Sequence, residues 1–149
     1  METIPQQAVA IQPGSGRELT NLGVTHKLTS DQTGGAYYLC EAVFGPESGS
    51  PFHIHHREAE VIYILEGALE IRLADKQFLV QAGGVVHLPQ EIPHALYNPL
   101  KTDLRIMVHA IPGGLEGYFD EMENVLQGGS LDRETFFNIS GKYGLEWLE

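Results

Sequence analysis

The 149 residues, 42% hydrophobic and 19% charged, have the make-up of one globular domain with enough chain to enclose a core. Twenty acidic against nine basic residues give a formal net charge of −11, which repels phosphate backbones and anionic membrane surfaces and argues against a nucleic-acid partner. No apolar run reaches the roughly 18 to 20 residues that span a bilayer, and Met1 to Gln12 has neither a basic start nor a continuous apolar stretch, so the expectation is a cytoplasmic protein that engages no membrane.

Residues 1–18 read as an N-terminal extension, and residues 19–112 as a barrel. From Leu19 to Ile111 short runs of Val, Ile, Leu, Tyr and Phe are broken by Gly, Pro, Asn and Asp about every ten residues, the pattern of an all-β sandwich or barrel. Strands are predicted at Val24 to Thr29, Tyr37 to Phe44, Glu60 to Leu65, Ala68 to Ala74, Phe78 to Gln81, Val85 to Leu88 and Leu104 to Ile111. The clearest is Ala68 to Ala74, where Leu69, Ile71 and Leu73 alternate with Glu70 and Arg72. Cys40, the only cysteine, excludes an intrachain disulfide and reads as a buried packing thiol, since no basic neighbour in sequence lowers its pKa.

Residues 113–149 read as a helical tail packed on the barrel. Leu115, Tyr118, Phe119, Met122 and Leu126 fall on one face at helical spacing, and Gly128-Gly129 ends that helix. Asp132 is placed to cap a second short helix in which Phe136, Ile139 and Tyr143 share a face, with Gly144 to close it. The pair either covers an open face of the barrel or gates a pocket.

Three of seven histidines stand in His53-Ile54-His55-His56, with Glu60 close behind. Residues two apart on a strand share a face, so His53 and His55 can present their imidazoles to one point while His56 faces away. Two alternate histidines are also compatible with surface residues or a neutral core pair. Parity does not carry across the Arg57-Glu58-Ala59 bend, but Glu60 opens the next strand with the apolar Ile62 and Ile64 on its own face, which favours an inward placement, and His94 follows the stiff Pro89 to Pro93 segment. Three imidazoles and a carboxylate suit one divalent transition metal (Mn, Fe, Co, Ni, Cu or Zn) better than Mg or Ca.

With these residues the sequence resembles the cupin superfamily, whose first motif is His-x-His, three or four residues, Glu, six residues and Gly. His53, His55, Glu60 and Gly67 match it. Gly49 lies nearer to His53 than the leading glycine of that motif, and Gly45 lies further. Gly83, Pro89, His94 and Asn98 match the second motif, with Glu91 where a glycine is usual. The resemblance implies a small double-stranded β-helix or jelly-roll barrel, followed here by a pair of short C-terminal helices, with His53, His55, Glu60 and His94 as metal ligands and a homodimer as the common assembly.

The runs Phe52 to Glu60, Tyr63 to Gly67, Pro112 to Glu116 and Tyr143 to Glu146 look like the bacterial single-domain cupins called quercetin-dioxygenase-like. That likeness implies a dioxygenase acting on a small chelating enol, flavonol-like or aromatic substrate, with Glu60 as ligand and catalytic proton acceptor and dioxygen as co-substrate. A non-redox isomerase, lyase or cyclase and a non-catalytic small-molecule-binding module remain open. His87 and His109 are further acid–base candidates, whereas His26 and His56 read as surface or interface residues.

Overall fold

The computed structural model describes residues 7–148. Eleven strands alternate with three helices: β1 (Arg17–Leu19), β2 (Val24–Leu28), α1 (Ser30–Thr33), β3 (Tyr38–Phe44), β4 (His53–His55), β5 (Ala59–Glu66), β6 (Ala68–Arg72), β7 (Gln77–Gln81), β8 (Val85–Leu88), β9 (Ala95–Tyr97), β10 (Leu104–Ile111), α2 (Glu116–Gln127), α3 (Arg133–Lys142) and β11 (Leu145–Trp147). Every strand pairing is antiparallel. One layer is a six-stranded sheet in the order β1-β2-β3-β10-β5-β8. The other joins β7-β6-β9 to β4-β11 through the bridges Gly49↔Tyr97 and His53↔His94.

The two layers enclose the core expected of alternating strands. Ile62 and Ile64 of β5, Leu104 and Ile106 of β10, and Leu69 and Ile71 of β6 are all but fully buried, and each such burial stabilises by about 1.5 to 3 kcal/mol over exposure. The all-β barrel with a pair of short helices after it is therefore the fold present. Strand ends differ from the sequence expectation by a residue or two, as at β6, which stops at Arg72 because residues 73–76 turn back.

Two glycines act through backbone geometry. Gly67, at φ +90°, makes the turn from β5 to β6 in a conformation that L side chains rarely adopt. A Cβ on Gly49 would lie 2.1 Å from the Leu96 carbonyl oxygen, so only glycine permits that approach of the chain to β9. Glu91 holds the turn that a glycine usually makes, at φ +73°. The substitution leaves the turn intact at a conformational cost.

Both C-terminal helices form. Asp132 caps α3 by accepting the Thr135 N–H at 2.7 Å, and Leu115, Tyr118, Met122 and Ile139 are buried against the core. Three short elements escape the sequence reading: β1, α1 and β11, each three or four residues long and below the length at which periodicity registers.

Candidate metal centre

β4 is only three residues long, and its alternation buries His53 and His55 while Ile54 is half-buried on the opposite face. It is held from both sides. Leu145 and Trp147 of β11 pair with His55 and His53, and across the other edge the His53 N–H donates to the His94 carbonyl at 2.9 Å while the His94 N–H donates back at 3.0 Å. The bridge fixes two histidines from stretches forty residues apart in one register. Glu60 comes from the opposite layer, as the second residue of β5, opposite Ala110 on one side and Leu88 on the other.

The structure thus brings together all four side chains singled out in the sequence, each 2% to 6% exposed. Ligand atoms of His53, His55 and His94 lie within 4.8 Å of one another. Glu60 Oε1 stands 3.1 Å from His55 Nε2 and 3.5 Å from His94 Nε2.

Every Nδ1 of the three histidines is already engaged: His53 with the Pro51 carbonyl at 2.8 Å, His94 with the Ile92 carbonyl at 2.9 Å and His55 with the Glu58 carboxylate at 2.6 Å. Carbonyl and carboxylate oxygens only accept, so each Nδ1 carries a proton and each ring aims its Nε2 toward the others. Glu60 Oε1 and His94 Nε2 are buried without an aligned hydrogen-bond partner despite their proximity. Three ring nitrogens and a carboxylate oxygen converging on one point, on rings oriented from behind, fit a divalent transition metal. His53, His55 and His94 can hold such an ion. Glu58 was missed in the sequence because it falls at an unspecified spacer position of the motif, and its part is to orient His55.

Electrostatics differ within the cluster. Burial, aided by the neighbouring His94, lowers His53 to about 4, so it is neutral near pH 7. Burial also pulls His55 down, but the Glu60 and Glu58 carboxylates outweigh it and hold His55 above its ordinary value. Burial opposes ionisation of Glu60, yet the imidazoles of His55, His94 and His53 together hold it well below the usual carboxylate range.

The cluster opens on a cavity of about 520 Å³ bounded by both layers and by the helices. Phe44, Leu115, Tyr118, Phe119, Phe136 and Trp147 give it apolar walls, and among the described residues none lining it is Lys or Arg. Trp147, which nothing in the sequence marked out, lies over His53 with ring centroids 4.8 Å apart. Its indole N–H donates to Ser140 Oγ at 2.9 Å, which ties the wall to α3.

Other histidines sit elsewhere. His87 is exposed on β8, and His109 packs edge-on against Tyr37, so neither lines the cavity. His56 is exposed between Glu91 and Glu146, as the strand alternation requires. His26 is a correction: it is 2% exposed, bonded to Tyr38 and Asp120 rather than on the surface. Its neighbour Lys27 suggested solvent, but both are buried on β2, with Lys27 bonded to the Ser15 carbonyl.

Comparison with known proteins gives the class. Residues 41–110 match the cupin domain family, and the two-layered antiparallel barrel is consistent with a small cupin fold. An uncharacterized protein of Methanocaldococcus jannaschii is 31% identical over 74 residues, covering 50% of this chain and 59% of that protein. VirH of Hypocrea virens, named a probable oxidoreductase, is 35% identical over 77 residues, covering 50% of this chain and 35% of that protein. The chain therefore spans less than two thirds of either curated relative. Among solved structures, one from Thermotoga maritima named a predicted oxalate decarboxylase superposes with a TM-score of 0.55 at 26% identity, covering 60% of this chain and 78% of the other.

Proposed function

We propose that the protein is a metal-dependent cupin enzyme in which His53, His55, His94 and Glu60 hold one divalent transition metal, and that it is a dioxygenase for a small, uncharged enol, flavonol-like or aromatic substrate. The observation that carries the reading is the position of this donor set at an apolar, aromatic-walled cavity of about 520 Å³ that no cationic side chain lines among the described residues. A small dianion such as oxalate would find no Lys or Arg there to balance its second charge, whereas a flat neutral ring fits between Trp147 and the Phe side chains. The oxidoreductase name of the Hypocrea virens relative favours redox chemistry over isomerisation.

A cation bound by this set would supply Lewis acidity and a meeting point for a chelating substrate and dioxygen. The chain supplies the rest. Aromatic side chains orient the substrate and exclude water, and Glu60, reaching in from β5, accepts the substrate hydroxyl proton at a carboxylate oxygen. The Nδ1 partners Pro51, Ile92 and Glu58 hold the imidazoles still meanwhile.

Elemental analysis of freshly purified protein, followed by oxygen-electrode assays on flavonols and related enols, tests the reading. Oxygen uptake abolished by a chelator and restored by the native metal is expected. Turnover that persists under strict anaerobiosis would replace the dioxygenase with a non-redox isomerase or lyase.

A further inference from the structure

β7 is the outer strand of the β7-β6-β9 sheet, and among the described residues no strand pairs with its far side. Its ladder with β6 runs without a bulge from Arg72↔Gln77 to Ala68↔Gln81. Just beyond the two ends, the Leu73 N–H donates to the Lys76 carbonyl at 2.8 Å and the Ala82 N–H donates to the Gly67 carbonyl at 3.1 Å. Hydrogen-bonded pairs alternate with non-bonded ones in an antiparallel ladder, so counting inward from either end assigns the bonds with β6 to Phe78 and Val80. The N–H and C=O groups of Gln77, Leu79 and Gln81 therefore point away from β6. All three residues are exposed, Leu79 at 60%.

An unpaired edge is a template for another strand, and sheets ordinarily protect theirs with charge, proline, a bulge or short length. The other edge strands follow that rule: β1 carries Arg17 and Glu18, β11 carries Glu146, and β8 is four residues long and stopped by Pro89. β7 has none of these devices. It reads Gln77-Phe78-Leu79-Val80-Gln81, uncharged on a chain whose net charge is −11, so a second copy meets no like charge along the strand itself. The sequence is also symmetric in character about Leu79, with an amide at each end and an apolar residue on each side of the centre.

We propose that β7 is a self-association edge: two copies of the chain pair their β7 strands antiparallel about a two-fold axis through Leu79, joining their β7-β6-β9 sheets into one. The free backbone groups select this register. Centred on Leu79, each outward N–H finds a carbonyl, since Leu79 exchanges bonds with the partner's Leu79 while Gln77 and Gln81 exchange bonds with the partner's Gln81 and the partner's Gln77. An axis between two residues would set outward groups against inward-turned ones, and an axis at Phe78 or Val80 would leave Gln81 or Gln77 unpaired. On the inner face the exposed Phe78 meets the partner's Val80, and on the outer face Leu79 meets its own copy. Glu70, beside the joint, is already held by Arg72 and Gln77, so it brings no unpaired charge to it. The contact is short, so the dimer is concentration-dependent, and a two-fold contact closes on itself, so association stops at two copies.

Sedimentation velocity on the full chain, from about 1 µM to about 1 mM, should show a reversible equilibrium between monomer and dimer with no larger species. At the concentrated end, amide exchange at Gln77, Leu79 and Gln81 should slow relative to the dilute end, while Phe78 and Val80, bonded to β6 in either state, stay as they are. Leu79→Pro removes the central N–H, and Leu79→Lys sets two ammonium groups at the axis. Neither touches a bond to β6, so the fold is kept. Each should weaken dimerisation by at least about tenfold, whereas Leu79→Val, which keeps the backbone donor and a strand-forming apolar side chain, should stay within about threefold of wild type. A wild-type monomer throughout that range, or growth beyond the dimer, would overturn the proposal; the monomer would leave the edge to an extended segment of another protein. A dimer that Leu79→Pro and Leu79→Lys both leave intact would overturn it too, and would move the interface to the outer face of the six-stranded sheet, where Tyr63, Leu65 and Val85 are exposed.

Discussion

Buried histidines occur in two places, the His53–His55–His94 cluster and His26 on β2, and their hydrogen bonding sets them apart. In the first, His53, His55 and His94 spend Nδ1 on fixed acceptors and leave Nε2 converging with the Glu60 carboxylate. In the second, His26 has a partner on each nitrogen. Burial and a nearby carboxylate are common to both. What distinguishes a prospective ligand is the lone pair left over, since a saturated imidazole has nothing to offer a cation.

Removing one ring from each cluster is the sharpest way to break this contrast. His94→Ala should lower metal affinity by at least about 100-fold, more than outer-sphere changes do, as read by titration of chelated protein. His26→Gln should leave that affinity within about twofold while destabilising the fold by about 1 to 3 kcal/mol, because Tyr38 or Asp120 is left unpaired, as read by urea unfolding. Equal metal loss in both would erase the distinction.

The next largest effect belongs to Glu58. Glu58→Gln keeps the shape but weakens the grip on His55 Nδ1, and metal affinity should fall by about 10- to 100-fold. Its pH dependence sharpens the comparison further. His55, held above its ordinary value by Glu60 and Glu58, must release a proton before its Nε2 can bind, whereas His53, near 4, is already free. Affinity should rise with pH by up to about tenfold per unit below the His55 pKa and level off above it. Calorimetry in buffers of unlike ionisation enthalpy counts the proton, and a pH-independent affinity between 6 and 8 would contradict the pairing.

The smallest effect lies outside both clusters. Glu91→Gly should relieve the left-handed strain at φ +73° and stabilise the protein by about 1 kcal/mol. A lower unfolding midpoint would instead assign the stability to the exposed Glu91–His56 contact.

The sequence contrast between the clusters is just as instructive. His53 and His55 were legible because strand parity sets where they point, Glu60 because it opens a strand on the apolar face of Ile62 and Ile64, and His94 because the two motifs occur in order. Their local periodicity survives into the structure. His26, Tyr38 and Asp120 carry no such signal: their meeting depends on α2 docking against β2 and β3, an event ninety and more positions away in sequence. The barrel was legible from alternation and turn residues. β1 and β11 were not, since strands of three residues owe their existence to a partner rather than to their own pattern.

The pairing of β11 with β4 has a consequence for how the protein matures. Leu145 meets His55 across nearly the whole length of the barrel sequence, and contacts of such long range form late in folding. Until β11 arrives, β4 lacks one of its two flanking strands and His53 lacks its indole cover. An ion supplied during refolding would therefore meet an open, solvent-facing pair of imidazoles, whereas one supplied afterwards would have to pass the apolar walls of the formed cavity, so the order of addition would govern how quickly the site fills.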